Sequence, residues 1–168
     1  MRAADILVRL VVDAVPHAST VLDLYAGTGL FALPLTRAGS RVMAVEESRD
    51  AVQNGEASRR LNGFSADQCQ FVARRAEDAV HRLRQRFDVV ILDPPRAGCS
   101  AQVIKGVFSD LKPPLAVYIS CNPEALARDA REIARRGYEI ACVQPVDMFP
   151  HTAHVETVAV LRRRRTVE

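Results

Sequence analysis

Short β-rich runs alternate with helical patterns along nearly the whole chain, and that alternation restricts the fold more than any other feature. Residues 21–25, 41–46, 69–72, 87–92, 115–120, 138–146 and 154–162 read as strands. Residues 4–15, a segment ending near Arg37, one capped by Ser48 and running to about Leu61, residues 101–110 and residues 123–136 read as helices. Gly39, Asn62-Gly63 and Gly137 fit helix stops, and Pro123 suits a first turn. Strands separated by helices build a parallel sheet wound by right-handed crossovers. The run FDVVIL at 87–92 is apolar throughout, as a strand covered on both faces requires. No helix separates the last two strands, so they pair antiparallel. The expected fold is therefore α/β and Rossmann-like, a seven-stranded mostly parallel sheet ending in an antiparallel hairpin.

At 168 residues there is room for one domain spanning 1–168, and 48% apolar residues supply a core for it. The net charge of +3 permits weak attraction to nucleic acid and does not require it. Arginine dominates the basic residues; the lysines are Lys105 and Lys112. The cysteines, Cys69, Cys99, Cys121 and Cys142, form no C-x-x-C pair, which argues against a zinc ribbon or iron–sulfur cluster. No signal peptide and no apolar run of about 20 residues is evident, so no membrane association is expected. The thiols are read as reduced, in the cytoplasm.

Ligands of such sheets bind beyond the carboxyl ends of the strands. The loop Asp23-Leu24-Tyr25-Ala26-Gly27-Thr28-Gly29 falls there, and Glu46 ends the second strand. Gly27 and Gly29 allow a sharp turn and close approach of a ligand. Glu46 is placed to accept both ribose hydroxyls of an adenosine. The spacing also suits a dinucleotide enzyme, but the third glycine is missing and Asp23 would repel a pyrophosphate. An acid there suits the cationic, amino-acid end of S-adenosylmethionine; otherwise Asp23 simply stabilises the turn.

Three further segments follow later strands and face the same cleft: Asp93-Pro94-Pro95-Arg96-Ala97-Gly98, Ser120-Cys121-Asn122-Pro123, and residues 147–156, DMFPHTAHVE. With the pattern D-L-Y-x-G-x-G-x-F-x-L-P-L they occur in the order found in the RNA uracil-C5 methyltransferases. The chain resembles the catalytic domain of that family, which acts on tRNA or 23S ribosomal RNA, from about Val21 to Leu161. The resemblance implies a class I S-adenosylmethionine-dependent methyltransferase. It also implies Cys121 as nucleophile, Glu156 as base, and Asp93 as a holder of the uracil ring. Tyr25, Gly27, Glu46 and Asp93 are then expected around the cofactor.

These roles make chemical sense by themselves. C5 of uracil is a poor nucleophile, and addition of a thiolate at C6 makes it electron-rich. After methylation a base must remove the C5 proton so that the thiolate can leave. Cys121 precedes a helix start, whose amide end favours an anion. Cys69, Cys99 and Cys142 are read as inert core residues. His151 and His154 lack a third ligand, so hydrogen bonding is preferred to metal. Arg96 is read either as a phosphate contact or as support for its loop. Asp129 either locks the helix behind Cys121 or lies on a solvated face, and residues 162–165 form a solvated tail or an RNA contact.

The family carries upstream RNA-contacting domains and an F-x-Q-x-N segment that do not fit here. The expectation is thus an isolated or truncated catalytic domain, missing an N-terminal RNA-binding part and turning over RNA poorly alone. Two rivals are an amino-group nucleic-acid methyltransferase and a cofactor-binding module without turnover. The first uses [D/N]-P-P-[F/Y/W] and no cysteine, against Arg96 and Cys121 here. A cytosine-C5 enzyme places its cysteine among different neighbours.

Overall fold

The computed structural model describes residues 3–147 and 155–164. One seven-stranded sheet organises it, in the order β3-β2-β1-β4-β5-β7-β6. Its strands are β1 (Thr20–Leu24), β2 (Arg41–Glu46), β3 (Cys69–Ala73), β4 (Val89–Leu92), β5 (Leu115–Ser120), β6 (Tyr138–Val146) and β7 (Glu156–Arg163). The first five are parallel; β7 inserts antiparallel between β5 and β6 and pairs with both. The α/β sheet and antiparallel finish expected from sequence are thus found.

Alternation along the strands divides the core. Leu22, Leu24, Val90, Leu92, Ala116 and Tyr118 face α4 (Ala76–Arg82), α5 (Ala101–Lys105), a π-helical turn (Gly106–Leu111) and α6 (Pro123–Ala134). Val21, Val89, Ile91, Val117 and Ile119 face α1 (Ala3–Ala14) and α2 (Ala32–Arg37), with Phe71 of β3 in the same cluster. β5 is buried at every position, as a central strand covered on both sides must be. α3 (Arg49–Leu61) starts at Ser48, whose hydroxyl accepts from the amide of Ala51.

Several boundaries differ from the sequence reading. α4 was absent from it; seven residues carry only Ala76, Ala79 and Val80 inward, too short a pattern to stand out. Yet a crossover is obligatory between the parallel strands β3 and β4. Phe87 and Asp88 precede β4 instead of belonging to it, because Asp88 turns aside to accept from the amide and hydroxyl of Thr20. The helix of 101–110 splits at Gly106 into α and π portions, and left-handed Lys112 closes it by donating its amide hydrogen bond to Val107 O. Tyr25 lies in the turn after β1, not in the strand. β7 starts at Glu156, and His151 and His154 lie outside the described residues. Among the described residues no helix is long and apolar enough to cross a membrane.

Candidate active site

Four strand ends bring the chemistry together. β1 and its turn supply Asp23 and Tyr25, β2 supplies Glu46, β4 leads into Asp93, and β5 leads into Cys121. The antiparallel entry of β7 adds Glu156 from the opposite direction.

Asp23 is fully buried, flanked across the sheet by Ala44 and Ile91. Among the described residues, neither of its carboxylate oxygens has a hydrogen-bond partner within ordinary geometry. Burial foremost, then the charge of Asp93, drives its pKa well above the carboxylate range; the nearby Ala32 amide offsets this only in part. Such a group is several kcal/mol costly unless a positive charge answers it.

The following turn is tightly fixed. The Ala26 amide donates to Val45 O at 3.0 Å and the Gly29 amide to Ala26 O at 2.9 Å. Gly27 and Gly29 have φ of +54° and +98°. Tyr25 sits at φ +64°, where a bulky residue is strained by about 1–3 kcal/mol. Its hydroxyl meets the thiol of Cys99, and burial raises the pKa of both groups, that of Cys99 to about 12. Glu46 is oriented by two amides: Gly27 N donates to Oε2 at 3.0 Å and Ser48 N to Oε1 at 2.9 Å. Each oxygen keeps a lone pair for another donor.

Tyr25 and Glu46 border a cavity of 540 Å³, whose lining also includes Asp93, Gly98 and Cys99, whereas Asp23 and Gly27, expected around the cofactor, are not part of that lining. Its size falls among small-molecule sites, roughly 300–1,000 Å³. A larger hollow of 840 Å³ opens beside Arg86, Asp88 and Lys112. It lies at the other end of the strands, where open sheets do not hold their ligands.

Cys121 is half-buried, one residue past β5. The register between β5 and β7 ends with Ser120 opposite Thr157. Cys121 follows Ser120 and Glu156 precedes Thr157, so the two lie next to the last paired residues of β5 and β7. Glu156 is half-buried too, and burial raises its pKa while the charge of Arg96 opposes the rise. Asp93 stands close enough to Glu156 to feel its charge; burial first, and that charge second, push it up to about 7. Thiol, base candidate and cavity wall therefore share one end of the sheet.

Not every expected residue joins the cavity. Gly29 borders a separate hollow of 410 Å³ with Leu30 and Leu33. Cys121, Glu156 and Arg96 stand outside the cavity lining. Glu47, Arg74, Arg75 and Glu77, which the sequence reading passed over, are part of it. They follow β2 and β3 at the same sheet end, a position that becomes readable once α4 is recognised. Of the cysteines expected to be inert core, Cys69 and Cys99 are buried, Cys99 lining the cavity as well, whereas Cys142 is exposed on β6.

Asp93 makes a prediction for the ligand-free protein. A free aspartate titrates near pH 4, roughly three units lower. Across that interval the folded state keeps a proton that the unfolded chain has lost, so stability declines as pH rises from about 4 to about 7. Scanning calorimetry should find that the wild-type Tm drops more than that of Asp93→Asn between about pH 5 and about pH 8. Parallel curves for the two proteins would contradict the burial of this group.

The family described as tRNA (Uracil-5-)-methyltransferase matches residues 6–164. The chain belongs to that family. A family member of Hahella chejuensis, the 23S rRNA (uracil(1939)-C(5))-methyltransferase RlmD, is 40% identical over 149 residues, covering 86% of this chain and 33% of its own length. An uncharacterized RNA methyltransferase of Gloeobacter violaceus is 40% identical over 162 residues, covering 95% of the chain and 34% of its own length. Among solved structures, the Pyrococcus abyssi tRNA (uracil-54, C5)-methyltransferase in complex with S-adenosyl-L-homocysteine superposes with a TM-score of 0.81. It is 34% identical, over 94% of this chain and 38% of that one. The chain spans about a third of the length of the curated relatives that it matches.

Proposed function

We propose that the chain binds S-adenosylmethionine and methylates C5 of uracil in RNA, of the tRNA or 23S rRNA kind, with Cys121 as covalent nucleophile and Glu156 as general base. The observation that carries this reading is the β5–β7 register. Cys121 follows β5 and Glu156 opens β7 at the paired ends of these strands, with Asp93 close to that carboxylate and in the wall of a cavity sized for a nucleoside.

The residues present fit the cofactor. Asp23, buried without a partner and beside Asp93 and Glu46, calls for positive charge. Glu46, held by two backbone amides, is oriented to accept from ribose hydroxyls. Tyr25 and Gly27 shape the turn above it. When bound, the cofactor supplies a methyl group on a cationic sulfur.

The protein's own groups carry the remaining steps. The Sγ of Cys121 adds to C6 of uracil, and the C5–C6 π electrons move toward the C4 carbonyl as an enolate. Asp93 and Arg96 hold the ring and its backbone while C5 takes the methyl. Glu156 then removes the C5 proton; the electrons restore the C5–C6 double bond and expel the thiolate. Burial makes Glu156 a stronger base than an exposed glutamate.

RNA carrying 5-fluorouracil tests the mechanism. Fluorine occupies the position of the departing proton, so the final step is blocked. Incubation with S-adenosylmethionine should give a protein–RNA adduct that survives denaturing electrophoresis. Cys121→Ala should give none. An unchanged adduct in the alanine variant, or none with wild type, rejects Cys121 as the nucleophile.

A further inference from the structure

Helix α6, which begins two residues after Cys121, reaches back to one short stretch of the Asp-Pro-Pro-Arg loop with three side chains. Asn122 Nδ2 donates to Arg96 O at 3.1 Å. Arg128 Nη2 donates to Ala97 O at 2.6 Å. The Cys99 amide donates to Asp129 Oδ2 at 2.8 Å. Gly98, between these anchors, has φ +81°, and a Cβ there would stand 2.5 Å from both Arg128 Nη2 and Asp129 Oδ2. Only glycine fits without displacing the contact.

Asp129 is the hub. It is 1% exposed, and the same Oδ2 also accepts from the Tyr118 hydroxyl at 2.6 Å. Its Oδ1 accepts from Arg128 Nε and Nη2 at 3.0 and 2.8 Å. Every described bond of this carboxylate therefore ends on the loop, on β5 or on the arginine that itself holds the loop. Ala97, Gly98 and Cys99 are also wall residues of the 540 Å³ cavity. The Cys99 thiol continues the chain to Tyr25 on the cavity's other wall.

We propose that Asp129 is a positioning residue that clips the 97–99 wall of the cofactor cavity to the helix behind Cys121, and so sets the affinity for S-adenosylmethionine. The proposal rests on the cofactor reading given above. A helix that only packs on the sheet needs its apolar face, here Ala125, Leu126 and Ile133. It does not need a buried carboxyl group aimed at a neighbouring loop. With the clip in place the wall is preformed, and binding does not have to order it.

The test compares Asp129→Ala and Asp129→Asn with wild type. Calorimetric titration with S-adenosylmethionine is run well below each protein's Tm, alongside amide hydrogen exchange. Alanine removes every bond that this carboxylate makes, so Kd should rise at least tenfold. Exchange at the Cys99 amide should quicken at least tenfold while the amides of β1 and β4 keep their protection. Asparagine keeps an oxygen for Cys99 and Tyr118, so its Kd should return to within about threefold of wild type. A folded alanine variant that binds within twofold of wild type overturns the proposal, as does unchanged Cys99 exchange. Wild-type protein that fails to bind overturns the cofactor reading instead, and Cys99 exchange then still decides whether the clip exists.

Discussion

Glu156→Gln will let the protein capture ordinary uracil RNA but not release it. The amide cannot take the C5 proton, while Cys121 and the cofactor cavity are untouched. Removal of a well-placed general base costs about 10²–10⁴ in rate. Single-turnover experiments with RNA tritiated at C5 should therefore show one methyl transferred per protein, tritium release slowed by at least about 10²-fold, and a covalent complex that persists on denaturation. Adding Cys121→Ala to this variant should abolish the complex. Tritium release at the wild-type rate in Glu156→Gln would place the base elsewhere.

The second large effect concerns Asp23, and it runs in opposite directions for the empty and loaded protein. In the ligand-free state this buried carboxylate has no hydrogen-bond partner and is driven toward its neutral form. Asp23→Asn mimics that form at every pH. At pH 8, where ionisation is most favoured, the variant should melt at or above the wild-type temperature. With S-adenosylmethionine the order should reverse, because the charge that answers the sulfonium and amino group is gone. A loss of about 10²-fold in affinity is expected, roughly 3 kcal/mol, as for an uncompensated charge pair. Titration calorimetry and thermal melts on the same samples measure both quantities. Unchanged affinity would mean that Asp23 only shapes the turn.

The legible part of the molecule was the part written in strand-length apolar runs and in short motifs. The run ahead of Asp93 and the run ahead of Cys121 each announced a buried parallel strand, and both strands are found. The place of Glu46 was legible because it closes its strand at the end of the sheet where the cavity lies. What remained hidden depends on register and on side-chain reach. Nothing in the local pattern of residues 76–82 distinguishes a seven-residue helix from a loop, so Arg74, Arg75 and Glu77 went unassigned. Cys99 looked like core and is core, yet it borders the cavity because Gly98 lets the loop turn under α6. Asp129, for which sequence reading left two options open, is buried on the loop side of its helix. Tyr25 could not announce its left-handed backbone, since no residue type signals that strain.

Because β7 is threaded between β5 and β6, the sheet closes only after its final strand has been made. During synthesis the cysteine therefore leaves the ribosome some thirty-five residues ahead of the glutamate that will face it. A nascent chain halted after β6 owns the sulfur but lacks the strand that completes β5. Its exposed edge invites wrong pairings until the last strand inserts.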